Sequence, residues 1–345
     1  MSAGRRPVAL AIAVLTLLAY ALLAAPAGRA HAAALDEAAG SRAAQFLANG
    51  NSPEVLGMGG ATLALARDVQ GASWNPAALA WLGGSQITLA HTQSDDQTAQ
   101  EWLALGGRLG WAGARYGLSA IVRDEGTIAG RDANDQPTGD VQASDVALSL
   151  ALARPFGERL SAGGAVHFVS QRIGDDGGVG AAFDAGAQAR FGFFSLALAG
   201  RDFGGNMQWD GTRWRMPAAL GVGAAFDDPA SGLRFALDLT APADYYRSVH
   251  AGVEWRWRDR FALRTGWQRA LGAPGIDPMD GPSFGLGAGA GRVWVDYAYV
   301  LSPDGESSQR LGFAWRGNGA GLAAPALPTL PVASPSPFAP HSPEP

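Results

Sequence analysis

From Ser248 to Gln268 the chain reads SVHAGVEWRWRDRFALRTGWQ, and its hydropathy repeats at every second residue. Val249, Ala251, Val253, Trp255 and Trp257 fall on one face, while His250, Gly252, Glu254, Arg256 and Arg258 fall on the other. A period of two marks a strand, whose successive side chains point to opposite sides. Asp259 serves as the turn. Phe261, Leu263, Thr265 and Trp267 then return along the apolar face, and Ala262, Arg264, Gly266 and Gln268 along the polar one. The result is an antiparallel hairpin, greasy on one side and charged on the other.

Two architectures use such a hairpin. In a soluble sandwich the apolar face is core and the polar face meets water; in a transmembrane barrel the apolar face meets lipid and the polar face lines the lumen. Aromatic placement separates them. Trp255 and Trp257 stand at one end of the apolar face and Trp267 at the end of the return strand. Indole rings favour the interfacial level at both edges of a bilayer, whereas a soluble core has no reason to put its aromatics at strand ends.

Composition narrows the class further. The 345 residues hold 48 Gly and 21 Pro, only 17% are charged, Cys is absent, and every side-chain cation outside histidine is Arg. That is too much glycine for a helical enzyme and too much patterned apolar sequence for a disordered chain. A net charge of −5 offers no field for nucleic acid. Without Cys there is no disulfide framework, thiolate metal site or cysteine-borne lipid anchor. Residues 1–32 read as a cleaved secretory signal: Arg5 and Arg6 lead an apolar run from Val8 to Ala25, Pro26 and Gly28 break it, and Ala30-His31-Ala32 supplies the cleavage site. No later run approaches the roughly 18 apolar residues of a membrane helix. An exported chain that enters a membrane with such segments must therefore do so as a closed barrel.

Ahead of the strands lies a distinct segment, 33–84. Residues 36–48 predict a short helix with Ala43, Phe46 and Leu47 on one stripe, followed by a Gly-rich entry, a short strand over Ala61 to Ala66, and a helical turn started by Asn75-Pro76. From Ser85 onward the alternation predicts about fourteen strands, at 85–92, 101–107, 113–123, 142–153, 159–172, 179–191, 193–200, 217–226, 232–240, 247–257, 260–268, 283–290, 291–299 and 308–315. Links after even strands are tight, and most links after odd strands are long, including 124–140, 201–215 and 269–282. Sorting by parity suits a barrel with both termini in the periplasm. Charge sets the register: Leu233, Phe235, Leu237 and Leu239 face lipid, as do Val293, Val295, Tyr297 and Tyr299. The inward set is Arg234, Asp238, Glu254, Arg256, Arg264, Asp296 and Arg310. Such charges either brace neighbouring strands as salt bridges or form a selectivity or ligand-orienting ring.

The runs FLANG (Phe46 to Gly50), GMGGATLALARD (Gly57 to Asp68) and WNPAALA (Trp74 to Ala80) resemble the N-terminal signature of the PorV/PorQ family of outer-membrane proteins, relatives of the FadL-type long-chain fatty-acid transporter barrels. The resemblance covers the mature chain to about Trp315. It implies a fourteen-stranded barrel with an N-terminal plug, whose motif here is Phe46, Leu47, Gly57, Met58, Gly59, Gly60, Asp68, Trp74, Asn75 and Pro76. One branch of such barrels serves the type IX secretion system as cargo carrier or surface-attachment component; the fatty-acid branch passes hydrophobic molecules sideways through the wall. The chain departs from the pattern at Ala78, where glycine is usual, and at Asn51 to Val55, where a basic segment is usual. The run Gln309 to Arg316, with Leu311, Phe313 and Trp315 outward, resembles the signal read by the barrel assembly machinery. Residues 317–345, dense in Pro, Ala and Ser, read as an extended tail.

Catalytic motifs fail on context. Gly285 to Ala290 spells a dinucleotide fingerprint, but a strand follows it, so no helix N-terminus is present to hold a pyrophosphate. His91, His167 and His250 sit singly on three strands without ligand spacing, and Asp175 to Gly178 reads as a polar hairpin turn rather than a calcium loop. No cofactor or metal is expected. The sequence thus predicts an all-β, non-enzymatic transmembrane antiparallel barrel (85–316) with an N-terminal helical and Gly-rich plug, in the bacterial outer membrane. Its expected partners are outer-membrane lipid, the barrel assembly machinery, and hydrophobic small molecules or exported proteins. The alternatives are a secretion-system carrier and, in another class, a soluble exported β-protein that binds a partner.

Overall fold

A computed structural model describes residues 42–273, 280–303 and 307–317. The expected signal at 1–32, the start of the 36–48 helix, the middle of the 269–282 link and the tail beyond 317 lie outside the described residues. Fifteen strands follow the N-terminal segment: β1 (Gln86–Ser94), β2 (Ala99–Arg108), β3 (Arg115–Arg131), β4 (Pro137–Phe156), β5 (Leu160–Ile173), β6 (Asp176–Phe191), β7 (Phe194–Trp209), β8 (Thr212–Arg215), β9 (Ala219–Asp228), β10 (Leu233–Pro242), β11 (Arg247–Trp257), β12 (Phe261–Leu271), β13 (Gly281–Ala290), β14 (Val293–Leu301) and β15 (Ser307–Arg316). Every pairing is antiparallel, and β1 pairs with β15 from Gln86↔Arg316 to Ser94↔Ser308, so the sheet closes. β8 pairs only with the end of β7, which pairs with β9 through Phe194 to Arg201. The wall therefore has fourteen staves.

Alternation decides which side each residue takes. Phe235 and Leu237 on β10, Leu263 and Trp267 on β12, and Leu311 and Phe313 on β15 stand 41–56% exposed on the outside, while Arg234, Asp238, Arg264 and Ala314 are buried within. A soluble barrel would not present this continuous apolar exterior to water. Leu239 is the exception on β10, only 8% exposed beside its outward neighbours Val222 and Val249.

Three expected links are shorter than predicted because their strands continue. β3 and β4 pair on through Arg131↔Pro137 after a bulge at Asp124/Thr127, β7 and β8 form the hairpin in place of a 201–215 loop, and β12 runs to Leu271. Past the edge of the apolar band both faces of β3 and β4 are wet, so alternation stops while the backbone ladder continues; on β7 it is interrupted instead by an irregularity between Gly200 and Phe203, beyond which Met207 is still fully buried. The loops differ in reach rather than in coil length. The β11–β12 turn spans Arg258 to Arg260 rather than Asp259 alone: Arg258 and Asp259 both take left-handed φ (51° and 50°) and Arg260 N–H donates to Trp257 O at 3.0 Å. Positive φ at both central residues matches the strand twist.

The seam is tied at one end. Asp95, between β1 and β2, accepts from the Ser307 hydroxyl at 2.6 Å and the Ser307 amide at 2.8 Å, and these bonds hold its carboxyl below the usual carboxylate range.

Inside, small residues leave room. Ala147, Ala182, Ala197, Ala199 and Ala298 line the wall at 0–1% exposure, and the N-terminal segment occupies the space against them. It comprises 3-10 turns at Gln45–Ala48, Gly71–Ser73 and Pro76–Trp81 and one short helix, α1 (Pro53–Gly57). The strand expected over Ala61 to Ala66 is absent; that stretch is turns.

The register predicts that Leu237→Arg, which turns a guanidinium outward in mid-wall, costs roughly 2–4 kcal/mol if lipid surrounds the barrel. The folded, heat-modifiable band on unheated gels should fall sharply for this variant.

Candidate functional site: the occupied lumen

The Gly-Met-Gly-Gly run brings backbone onto backbone. Gly59 has φ +66°, and a Cβ there would lie 2.6 Å from Trp267 N, so only glycine fits between α1 and the wall. Its amide donates to Ser283 Oγ at 3.0 Å, and its carbonyl meets His250 Nδ1 at 2.8 Å. Gly57 also lies against the wall, where an added Cβ would stand 3.0 Å from the Gly285 Cα, and Met58 packs in the interior cluster with Val55, Leu63 and Trp74. Gly60 (φ +80°) faces the His250 ring.

The 61–66 stretch has its polar groups satisfied by side chains of the wall, which is why it needs no strand partner. Asp238 accepts from the amides of Thr62 and Leu63 at 2.6 and 2.8 Å, and Gln188 Nε2 donates to the carbonyls of Ala64 and Ala66 at 2.5 and 3.3 Å. Asn75 is fully buried: its Oδ1 caps the following turn at Ala77 N–H (3.0 Å) and its Nδ2 donates to Leu63 O (3.1 Å) and Ala187 O (3.4 Å). Pro76 opens the turn that abuts Gly163 on β5, and Asp68 Oδ1 accepts from Gly71 N–H at 3.0 Å. Trp74 stacks under the Arg201 guanidinium at 4.6 Å. Phe46 is buried in a second cluster with Leu79, Trp102 and Met207, and Leu47 packs against it.

Charge gathers at one place on the inner wall. Glu254 on β11 receives Arg264 Nε at 2.7 Å, Arg234 Nη1 at 3.0 Å and Arg256 Nε at 3.2 Å. Arg264 Nη1 reaches Asp296 at 2.6 Å, and Trp294 Nε1 donates to the same carboxylate at 2.7 Å. The N-terminal segment enters the network twice, through Glu54 of α1 on Arg256 (3.3 Å) and Arg234 (3.6 Å), and through Arg67 on Asp227 (3.0 Å). Four guanidinium groups thus meet four carboxylates across β9, β10, β11, β12 and β14. A self-neutralised network braces strands and segment together and leaves little net field for a passing ion. Arg310 stands apart: it is 9% exposed, and its Nε and Nη1 have no hydrogen-bond partner among the described residues.

Sequence patterning places Arg234, Asp238, Glu254, Arg256, Arg264, Asp296 and Arg310 on inward positions, but it does not reveal Glu54, Arg67, Asp227 or Gln188. Their signal was faint, since Glu54 and Arg67 belong to no alternating strand and Asp227 sits at a strand end. Two further inward groups, His167 and Asp184, meet at 2.8 Å on neighbouring strands; lone-histidine spacing concealed this pair.

The sequence matches no protein-family model and no curated protein. The fold is similar to that of solved transporter barrels. The Ralstonia pickettii toluene transporter TbuX superposes with a TM-score of 0.57 at 14% identity over 77% of this chain and 98% of that one. A Pseudomonas aeruginosa FadL homologue gives 0.55 at 11% identity, again over 77% and 98%. A deltaS2 mutant of the TodX monoaromatic hydrocarbon channel gives 0.52 at 12% identity over 77% and 97%.

Two substitutions probe the interior. Glu254→Gln leaves three buried guanidinium groups short of a counter-charge and is expected to cost about 3–5 kcal/mol, seen as a lower unfolding temperature in detergent. Asp238→Ala orphans two buried amides, about 1–3 kcal/mol each. Hydrogen exchange should accelerate at Thr62 and Leu63 while the β11 and β12 amides stay protected.

Proposed function

We propose that the protein is an outer-membrane conduit for hydrophobic small molecules, with the N-terminal segment as its plug and without chemistry of its own. The observation that carries this reading is the occupied interior: a wall of fourteen staves with an apolar exterior encloses a segment that is itself buried. Such a filling occupies lumen that a polar solute would need, whereas an apolar one partitions into the surrounding bilayer and needs only a route between plug and wall. Similarity of fold to a toluene transporter and a monoaromatic hydrocarbon channel supports the same substrate class. The β6–β7 ladder supports passage through the side of the barrel, since its register shifts on either side of Phe183. On this reading residues 1–32 are removed on export, the termini lie in the periplasm, and the lumen charges anchor the plug rather than select ions.

A second reading rests on the plug motif itself. Phe46 to Gly50, Gly57 to Asp68 and Trp74 to Ala80 resemble PorV/PorQ proteins, which favours a carrier of exported proteins in a type IX-like system. Mass spectrometry of whatever co-purifies with detergent-extracted protein, wild type against Trp74→Ala/Asn75→Ala, separates the two. An apolar small molecule lost from the variant is expected. An exported protein recovered in its place overturns the conduit reading in favour of the carrier.

A further inference from the structure

β7 carries an irregularity that alternation hides. Ala185 pairs with Gly200 and Phe183 with Phe203, so Asp184 of β6 alone faces both Arg201 and Asp202 of β7. One extra residue in a strand turns two successive side chains to the same side; Arg201 and Asp202 are accordingly both buried inside, and Asp202 takes φ 54°. On β5, the next strand, His167 also points inward and is buried. The bulge therefore brings Asp202 to a His–Asp pair that already spans β5 and β6.

The three groups are arranged as ligands. Nε2 of His167 lies 2.8 Å from Asp184 Oδ2, and ligating atoms of His167, Asp184 and Asp202 all lie within 4.8 Å of one another. Nδ1 of His167 is 2.7 Å from Ser149 Oγ; with that nitrogen donating, the Nε2 lone pair is directed at the carboxylates, as in metal-bound histidines. The Asp202 amide donates to Asp184 Oδ1 at 2.8 Å, which fixes one carboxylate and leaves its other oxygen toward His167. Asp202 is 5% exposed as a residue, and its carboxylate, which makes no hydrogen bond or ion pair among the described residues, is not wholly cut off from solvent. Arg201, the nearest guanidinium along the chain, is turned to Trp74 and bridges neither carboxylate. Two buried carboxylates beside an imidazole, one of them unpartnered, call for a cation.

We propose that His167, Asp184 and Asp202 bind a first-row divalent cation, Zn²⁺ in the first instance, stapling β5, β6 and β7 where the ladder is broken. One nitrogen and two carboxylate oxygens suit such an ion at about 2.0–2.2 Å in tetrahedral geometry, where ligand atoms stand about 3.3–3.6 Å apart, so side-chain rotation must close the widest pair by up to about 1.5 Å and open the His167–Asp184 pair by about 0.5–0.8 Å. Ser149 is the outer-shell partner that sets the histidine tautomer.

The test uses full-length, tag-free protein in detergent, stripped with chelator, titrated calorimetrically with Zn²⁺ and assayed for retained metal by mass spectrometry. Folded wild type should retain one equivalent and unfold at a higher temperature with Zn²⁺ than without. Asp202→Asn, whose side chain loses no hydrogen bond, should fold normally and bind at least tenfold more weakly. His167→Asn should behave likewise, and Ser149→Ala should weaken binding by roughly 10–100-fold. Failure of folded wild type to retain Zn²⁺ overturns the site. So does unchanged affinity in Asp202→Asn, including binding that instead disappears with His91→Asn at the exposed His91–Glu101 pair, which would make the ion adventitious.

Discussion

The structure depends on one closure: β15 hydrogen-bonds to β1. Every backbone amide and carbonyl facing hydrocarbon must be satisfied within the protein, because no water is present to take its place. The register from Gln86↔Arg316 to Ser94↔Ser308 leaves no free edge in the wall. Once the sheet closes, its two faces lose their equivalence, and alternation sends apolar side chains to one solvent and charges to the other. A one-residue slip anywhere would exchange the two sets, so the ring fixes both the exterior and the chemistry of the interior.

The interior is filled rather than empty, and the filling relies on small residues and on charge. Alanine and glycine on the wall allow backbone contact, most closely where Gly59 lies on β12. Carboxylates and amides of the wall take the place of sheet partners for the 61–66 stretch. The arginine network ties α1, through Glu54, to β10, β11 and β12 and runs on from these to β9 and β14. Pairing buried charges contributes less to net stability than its distances suggest, but it penalises any arrangement that separates them.

The wall was legible in the sequence because its code is local. Period-two patterning predicted fourteen strands, and the closed ring has fourteen staves; it identified the apolar exterior from residues such as Phe235, Leu237 and Leu263. Its failures are equally physical. The strand ends within 124–140 were read as a loop because alternation vanishes once both faces are wet, and those within 201–215 because an irregularity on β7 breaks the alternation while Arg201, Asp202 and Met207 stay buried. The 61–66 stretch imitated a strand, yet its amides bond to Asp238 some 176 residues away, a partner no window of sequence contains. Asp202 was missed for a related reason: a bulge changes parity without changing composition.

The N-terminal segment also constrains the order of events in folding. Its bonds reach β10, β11 and β13 in the second half of the wall as well as β6 in the first, although it is the earliest of these parts to be synthesised. Contacts of such sequence separation form late and slowly. The ring is open only at its two mouths, so the segment is enclosed either as β1 zips to β15 or afterwards through the mouth at which β1 begins. Either way it acts as a keystone: bonded to staves in both halves of the wall, it holds at a fixed spacing strands that pair only with their immediate neighbours.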